Sequence, residues 1–349
     1  MTKTNSPDIE ISSQMMPQHM FRKWPVIKPK ILIVTCMKNE GPFILEWVAW
    51  HKAIGVTDFV VYTNDSNDGT VEILDRLQEL GHITHLENPA VALRSSYFQP
   101  FALKSIHQTP EFEAADFVIS MDVDEFINVR CGEGTLQSLF ETVGEFDVLS
   151  MSELNHGSNE REVFEPGWVT EQFPRHQSET PGRWKAARGV KSITRRSEKI
   201  HQIRNHRPDV AIEAIWVDGA GRSINVLHED GTQNGIDTRG TYEHVLLEHF
   251  PLRSLHSYLI KMDRGDVVVK NKMVSERYWR QRNQNGEATS NLARGIALAR
   301  EFAHEFFEKD KELMALQRKA DAAHAERIAE IKDVEPYRTR RNWILENSW

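Results

Sequence analysis

Asp116-Phe-Val-Ile-Ser-Met-Asp-Val-Asp-Glu125 joins an apolar run, broken only by Ser120, to three carboxylates at Asp122, Asp124 and Glu125. Phe117 to Met121 read as a strand buried on both faces, because β-branched and apolar residues follow one another without regular polar alternation. Carboxylates at the tip of such a strand are costly to bury unless a cation sits against them. Asp122 and Asp124 lie two apart, so on an extended chain they point the same way, and a slight turn lets both reach one ion. Carboxylate oxygens are hard ligands suited to Mg²⁺ or Mn²⁺, ions that in enzymes usually carry a substrate phosphate. Asp-x-Asp alone is a common pattern, and a solvated loop of acids after a core strand is the alternative reading.

Two upstream strands end the same way. Ile31-Leu-Ile-Val-Thr35 stops on Cys36-Met-Lys-Asn-Glu-Gly41, and a helix is expected from Pro42 to a C-cap at Gly55. Asp58-Phe-Val-Val-Tyr-Thr63 stops on Asn64-Asp-Ser-Asn-Asp-Gly-Thr70, and a helix follows from Val71 to Leu80 with Thr70 as candidate N-cap. Strand–helix–strand–helix–strand over residues 31–121 implies right-handed crossovers and a mostly parallel, Rossmann-like α/β sheet with helices on both faces. All the polar strand ends fall on the carboxyl edge, where open α/β sheets bind ligands.

Thr35-Cys-Met-Lys-Asn-Glu40, Asn64-Asp-Ser-Asn-Asp-Gly-Thr70 and Met121-Asp-Val-Asp-Glu-Phe126 resemble the three signature segments of family-2-like glycosyltransferases with a GT-A fold. The nearest flavour is the bacterial subgroup similar to glycosyltransferase family 92. Gly189-Val-Lys-Ser-Ile-Thr194 and Glu248-His-Phe-Pro-Leu-Arg-Ser254 resemble two later segments of that subgroup. The resemblance spans roughly residues 30–265. It implies a nucleotide-sugar donor, with uridine diphosphate as the carrier, a Mn²⁺ or Mg²⁺ ion, and an inverting, hexosyltransferase-like transfer to a hydroxyl of a carbohydrate or glycan acceptor, as in polysaccharide biosynthesis.

Asp124 is then the primary metal ligand, Asp122 is shared between metal and ribose, and His249 is the third metal contact. Glu40 and Asp65, at neighbouring strand tips, are expected to hold the nucleoside by accepting hydrogen bonds. Thr35, Lys38 and Asn39 line the same loop with Asp68 close by, and Arg94 and Gln99 lie along the donor cleft. Inversion needs a general base facing the acceptor. Glu153, Asp209 and Asp230 are candidates, with Glu153 first because it replaces an aromatic just past the next core strand. Glu153-Leu-Asn-His-Gly157 stands where the subgroup has Trp-x-x-Phe-Gly, Glu248 replaces Asn, and Phe250 replaces Tyr. These departures are expected around the acceptor pocket.

Composition narrows the partners. A net charge of -8 argues against nucleic acid. Hydrophobic content of 40% suffices for a core, mean hydropathy is -0.51, and no apolar run approaches the roughly 20 residues that span a bilayer. Cys36 and Cys131 give no disulfide framework, so both read as reduced and the compartment as cytoplasmic. Residues 1–29 form a polar segment without a signal-peptide core. Residues 30–265 are the catalytic domain, 266–335 a helical extension, and 336–349 a basic, aromatic tail.

Between Asp147-Val-Leu-Ser-Met-Ser152, a further strand, and residue 188 lies an excursion with Trp168, Phe173, Arg175, Arg183, Trp184 and Arg188. Aromatic and arginine side chains suit sugar faces and phosphates, or they pin the excursion to the core. Of the scattered histidines His206 is the next candidate ligand after His249. Leu292 to Ile331 read as one or two amphipathic helices packed on the catalytic domain, with homo-oligomerisation the functional alternative. The tail reads as solvated, its basic and aromatic residues being what would bring the chain to the inner face of a membrane. Two other classes share strand-tip acids: a metal-dependent nucleotidyltransferase, for which Cys36 to Gly41 is a poor phosphate loop, and a noncatalytic carbohydrate-binding protein, for which clustered carboxylates have no use.

Overall fold

The computed structural model describes residues 21–95, 97–180, 189–224, 240–265, 276–288 and 291–348. Asp230, His228, Arg183, Trp184 and Arg188 fall outside the described residues. The apolar runs become strands β1 (Ile31–Met37), β2 (Asp58–Thr63), β3 (Thr84–Glu87) and β4 (Phe117–Ser120). They are joined by β5 (Glu125–Val129), β6 (Val148–Asn155), β7 (Val190–Arg195), β8 (Trp216–Val217) and β9 (Val245–His249). The order is β3-β2-β1-β4-β7-β6-β9-β5, with β8 beside β6. β1, β2, β3 and β4 pair in parallel, as do β6 with β8 and β9; β7 runs antiparallel to β4 and β6, and β5 to β9. The expected mostly parallel α/β architecture is the one adopted.

Both faces of the sheet are covered, which is why β1 carries no polar alternation. Ile31 and Ile33 pack with Trp47, Trp50 and Phe59 on one side. Leu32 and Val34 pack with Val60, Leu103 and Phe112 on the other. Helix α1 (Ile44–Ala53) is tied down by its tryptophans: Trp47 Nε1 donates to Glu125 O at 3.0 Å and Trp50 Nε1 to Ile127 O at 2.8 Å. Helix α2 (Thr70–Glu79) begins on Thr70 rather than being capped by it; Asp68 Oδ1 accepts from Thr70 N at 3.0 Å instead. Helix α3 (Phe98–Ser105) covers the second face.

Helix α4 (Leu255–Arg264) follows β9, capped by Ser254, and α5 (Glu276–Arg282) comes next. The expected C-terminal helices are α6 (Ala293–Phe306) and α7 (Lys311–Ile331). Helix α6 lies so close on α1 that a Cβ on Gly295 would stand 2.2 Å from Trp50 Cη2, so only glycine fits there. The tail is not a solvated end: α8 (Tyr337–Asn347) is helical and buries Ile344 against Leu252, Tyr258 and Trp279. Among the described residues no helix is long and apolar enough to cross a membrane.

Candidate active site

Parallel registry brings Met37 beside Thr63 and Val34 beside Ser120, so the polar ends of β1, β2 and β4 open on one edge. After β4 the chain turns tightly, with Glu125 N donating to Asp122 O at 3.1 Å and Asp122 N to Glu125 Oε2 at 2.9 Å. The turn drives Glu125 into the sheet opposite His249 of β9, while β6 brings Glu153 alongside. The strand expected over Asp147–Ser152 runs on to Asn155, which is why Glu153 is a sheet residue and not part of the excursion.

Four carboxylates, three of them buried and Asp122 partly exposed, therefore gather with four cations. Lys191 Nζ donates to Asp122 Oδ2 at 3.0 Å and lies 3.3 Å from Glu125 Oε2. Lys261 Nζ donates to Asp124 Oδ2 at 2.7 Å, and Arg282 Nη1 to Glu153 Oε2 at 2.8 Å. His249 stands between Asp124 and Glu153, at 3.7 Å through Nε2 and 3.5 Å through Nδ1. Burial alone would lower the His249 pKa, but the Glu153 and Asp124 charges outweigh it and push it up to about 10. Burial likewise works to raise Glu153, and His249 and Arg282 reverse it, holding the carboxylate ionised. Burial raises Glu125, against the pull of Lys191. Gly189 N donates to Glu153 Oε2 at 3.2 Å, and a Cβ on Gly189 would lie 2.0 Å from Oε1.

The donor set fits a hard divalent cation. Glu125, Glu153 and His249 bring ligand atoms within 4.8 Å of one another, and His249 Nδ1 is buried without a hydrogen-bond partner. Asp124 and Asp122 add oxygens on the same turn. Glu125 was not among the expected ligands, and its place in a strand opposite His249 explains its arrival.

The expected nucleotide residues divide. Gln99 Nε2 donates to Asp122 Oδ1 at 3.2 Å, which places it beside the carboxylate cluster. Asp65, at φ 46, and Arg94, at φ 50, are exposed. Asn39 Oδ1 accepts from Asn67 N at 2.9 Å, and Asp68 Oδ2 from Gly41 N at 3.0 Å, so both bind the loop to its neighbour. Thr35 is buried on β1 with Oγ1 unpartnered, and the Lys38 carbonyl accepts from Arg264 Nη1 at 2.8 Å. Glu40 does not present free oxygens to a nucleoside: one accepts from Arg253 Nη1 at 2.9 Å and the other from Arg264. Asp209 is engaged by Arg204 at 2.7 Å and lies on a separate two-stranded sheet with Ile200–Gln202. His206 Nδ1 lies 3.0 Å from the Val190 carbonyl, and burial, helped by Lys191, lowers its pKa.

Of the departures from the subgroup pattern, Glu153 lies in the carboxylate cluster, while His156, Glu248 and Phe250 touch one another in the core. His156 Nε2 lies 2.8 Å from Glu248 Oε2, Asn128 Nδ2 donates to Glu248 Oε1 at 2.7 Å, and Phe250 stacks on the His156 ring with centroids 4.1 Å apart. Of the excursion, Phe173 is buried and Trp168 is covered by the Arg300 guanidinium at 3.7 Å, which favours the pinning role. Lys191, Lys261 and Arg282 were missed. Lys191 had a signal, as a lone cation inside the strand Val190-Lys-Ser-Ile193.

The sequence model of glycosyltransferase family 92 matches residues 33–215. A family 92 protein of Oryza sativa subsp. japonica is 27% identical over 119 residues, 34% of this chain and 19% of that protein. One of Arabidopsis thaliana is 28% identical over 101 residues, 29% of this chain and 16% of that protein. The chain thus matches less than a fifth of the length of these relatives. Among solved structures, S. aureus TarS aligns over 90% of this chain and 55% of its own at 14% identity and a TM-score of 0.32. TarS 1–349 in complex with UDP aligns over 92% of both chains at 14% identity and a TM-score of 0.31.

Proposed function

The chain belongs to glycosyltransferase family 92, and from that premise we propose that it moves a sugar from a uridine diphosphate sugar to a hydroxyl of a carbohydrate acceptor, with inversion and with Mn²⁺ or Mg²⁺. The observation that carries the proposal is the gathering of Asp122, Asp124, Glu125, Glu153 and His249 at the carboxyl edge of a mostly parallel sheet. In such a transfer the bond from the anomeric carbon to a diphosphate oxygen breaks through an oxocarbenium-like state, and its electron pair leaves on the diphosphate. Asp124, Asp122 and His249 would hold the cation, which supplies positive charge to that leaving group.

The chain's own residues divide the remaining work. Lys191 holds Asp122 in place, and Lys261 holds Asp124 and keeps it ionised against its burial. Glu153 is the base candidate that lies in the cluster; while His249 and Arg282 hold its charge it is a weak proton acceptor, so the acceptor hydroxyl must reach it as those contacts loosen. The test is a screen of nucleotide sugars for release of the nucleoside diphosphate, with and without Mn²⁺ and with simple sugars as acceptors. Mn²⁺-dependent consumption of a uridine diphosphate sugar is expected. If no nucleotide sugar is consumed and no nucleoside diphosphate raises the melting temperature, the proposal fails.

A further inference from the structure

Beside the carboxylate cluster, Glu40, Phe43, Asp124, Arg253, Lys261 and Arg264 line a tight cleft that, as it stands, has room for about one water. Arg253 is only 8% exposed and sits at φ 57, in the left-handed region, immediately before the Ser254 cap of α4. Backbone strain of that kind on a non-glycine residue persists where the surroundings impose it, and it concentrates at binding sites. Here it lays the guanidinium 3.5 Å over the Phe43 ring with Nη1 on Glu40. Lys261 and Arg264, three apart on α4, come up beside it. Arg253 Nε and Nη2, and Arg264 Nε, are buried without hydrogen-bond partners. Buried guanidinium donors left unpaired weaken a fold, and phosphoryl oxygens are the acceptors that match their planar fork. Three cations and two carboxylates, Glu40 and Asp124, line the cleft, and Asp68 also acts on Arg264.

We propose that Arg253 and Arg264, with Lys261 beside them, seat the diphosphate of the donor, and that Glu40 is the counter-ion that keeps the two guanidinium groups paired in the free protein. The inference rests on the glycosyl-transfer reading for the identity of the anion. As the anomeric carbon–oxygen bond breaks, its electron pair moves onto a diphosphate oxygen, and the guanidinium donors receive that charge without a proton changing hands. The acceptor oxygen forms the new bond and gives its proton to a base. Glu40 thereby exchanges its expected role at the nucleoside for one in positioning the arginines.

Inorganic pyrophosphate, added to the full chain without divalent ion, is the probe, read by calorimetry and by melting shift at low and high salt. Native protein is expected to bind it, and Arg253→Gln or Arg264→Gln to weaken binding by about tenfold or more. Arg300→Gln, over Trp168, leaves it unchanged. Glu40→Gln lowers the melting temperature without ligand yet enlarges the shift that pyrophosphate produces, a pair of effects that a merely structural glutamate does not give. Where Arg253→Gln fails to fold, Arg253→Lys keeps the charge and loses the fork, and intermediate affinity is expected. Native affinity in the variant that folds, or no pyrophosphate binding by native protein, overturns the seat. Arginine-dependent pyrophosphate binding without turnover of any nucleotide sugar sinks the transferase reading and leaves the seat standing; undiminished turnover in Arg253→Gln does the reverse.

Discussion

Lys261 donates from Nζ to Oδ2 of Asp124 at 2.7 Å, so the carboxylate at the tip of the acidic turn already carries a cation. A divalent ion at Asp124 must compete with that ammonium, and few other protein ligands complete its shell without phosphate oxygens. Mn²⁺ is therefore expected to bind the free protein weakly and about tenfold or more tightly once uridine diphosphate is present, with the nucleotide gaining by the same factor. Calorimetry in both orders of addition measures the coupling. Tight binding of Mn²⁺ to the free protein would contradict the competition.

Asp124→Asn removes the charge while keeping the shape. Transfer is expected to fall by about 100-fold or more, as for loss of a group that stabilises transition-state charge. The fold also suffers, because Lys261 loses its charged partner and is left with neutral ones, among them the Pro251 carbonyl at 2.9 Å and the Tyr278 hydroxyl at 3.2 Å. A loss of about 1–3 kcal/mol is expected, seen as a lower melting temperature. Native turnover in this variant would show that the acidic turn is not the metal site.

Strand tips were legible because fully buried strands leave an unbroken apolar run, and β1, β2 and β4 each stop on polar residues that have no place in the core. Glu125 was readable as an acid at a strand end, but its role depends on lying opposite His249, a pairing across the chain that no local pattern encodes. Lys261, Arg264 and Arg253 escaped for the same reason. On α4, or just before its cap in the case of Arg253, they look like ordinary cations near a helix end, and their partners Asp124 and Glu40 lie far away along the chain. Asp209 looks free in the sequence, an acid in an irregular stretch, and its pairing with Arg204 shows only in the fold.

Asp65 heads the loop after β2 and is exposed at φ 46. Uridine diphosphate with Mn²⁺ is expected to raise the melting temperature of native protein by binding the folded state. Asp65→Ala shrinks that rise, whereas His256→Ala, on α4 facing Glu162, leaves it intact. A larger rise with guanosine or cytidine diphosphate would reassign the base and leave the fold unaffected.

Glu46, on α1, caps the segment Val169–Gln172: Val169 N and Thr170 Oγ1 donate to it at 2.7 Å and Thr170 N at 3.0 Å. Burial pushes its carboxyl from 4.5 up to about 7 despite these bonds. Between those two values the folded chain holds its proton more firmly than the unfolded chain, so stability falls as pH rises through the window. The full effect is up to about 3 kcal/mol. Melting temperatures from pH 4.5 to 8 are expected to show a shallower decline in Glu46→Gln than in native protein. Equal slopes would mean that Glu46 titrates alike in both states.

His249 is both a candidate ligand and a cation between two acids, and the two roles separate in one variant. In His249→Ala, Asp124 keeps Lys261, and Glu153 keeps Arg282 and the Gly189 amide. The loss of the shared imidazolium is still expected to destabilise the metal-free protein by about 1–3 kcal/mol, since two buried carboxylates then face each other without it. That drop alone does not distinguish the roles. The increment that Mn²⁺ adds to the uridine diphosphate shift does. A ligand contributes to that increment, so in His249→Ala it shrinks and transfer is lost. A mere spacer does not, and Mn²⁺ then stabilises the variant at least as much as the native chain, because the metal takes over the charge that His249 supplied. An undiminished Mn²⁺ increment in a variant of lowered melting temperature would remove His249 from the ligand set and leave the ion to Asp124, Asp122 and the neighbouring glutamates.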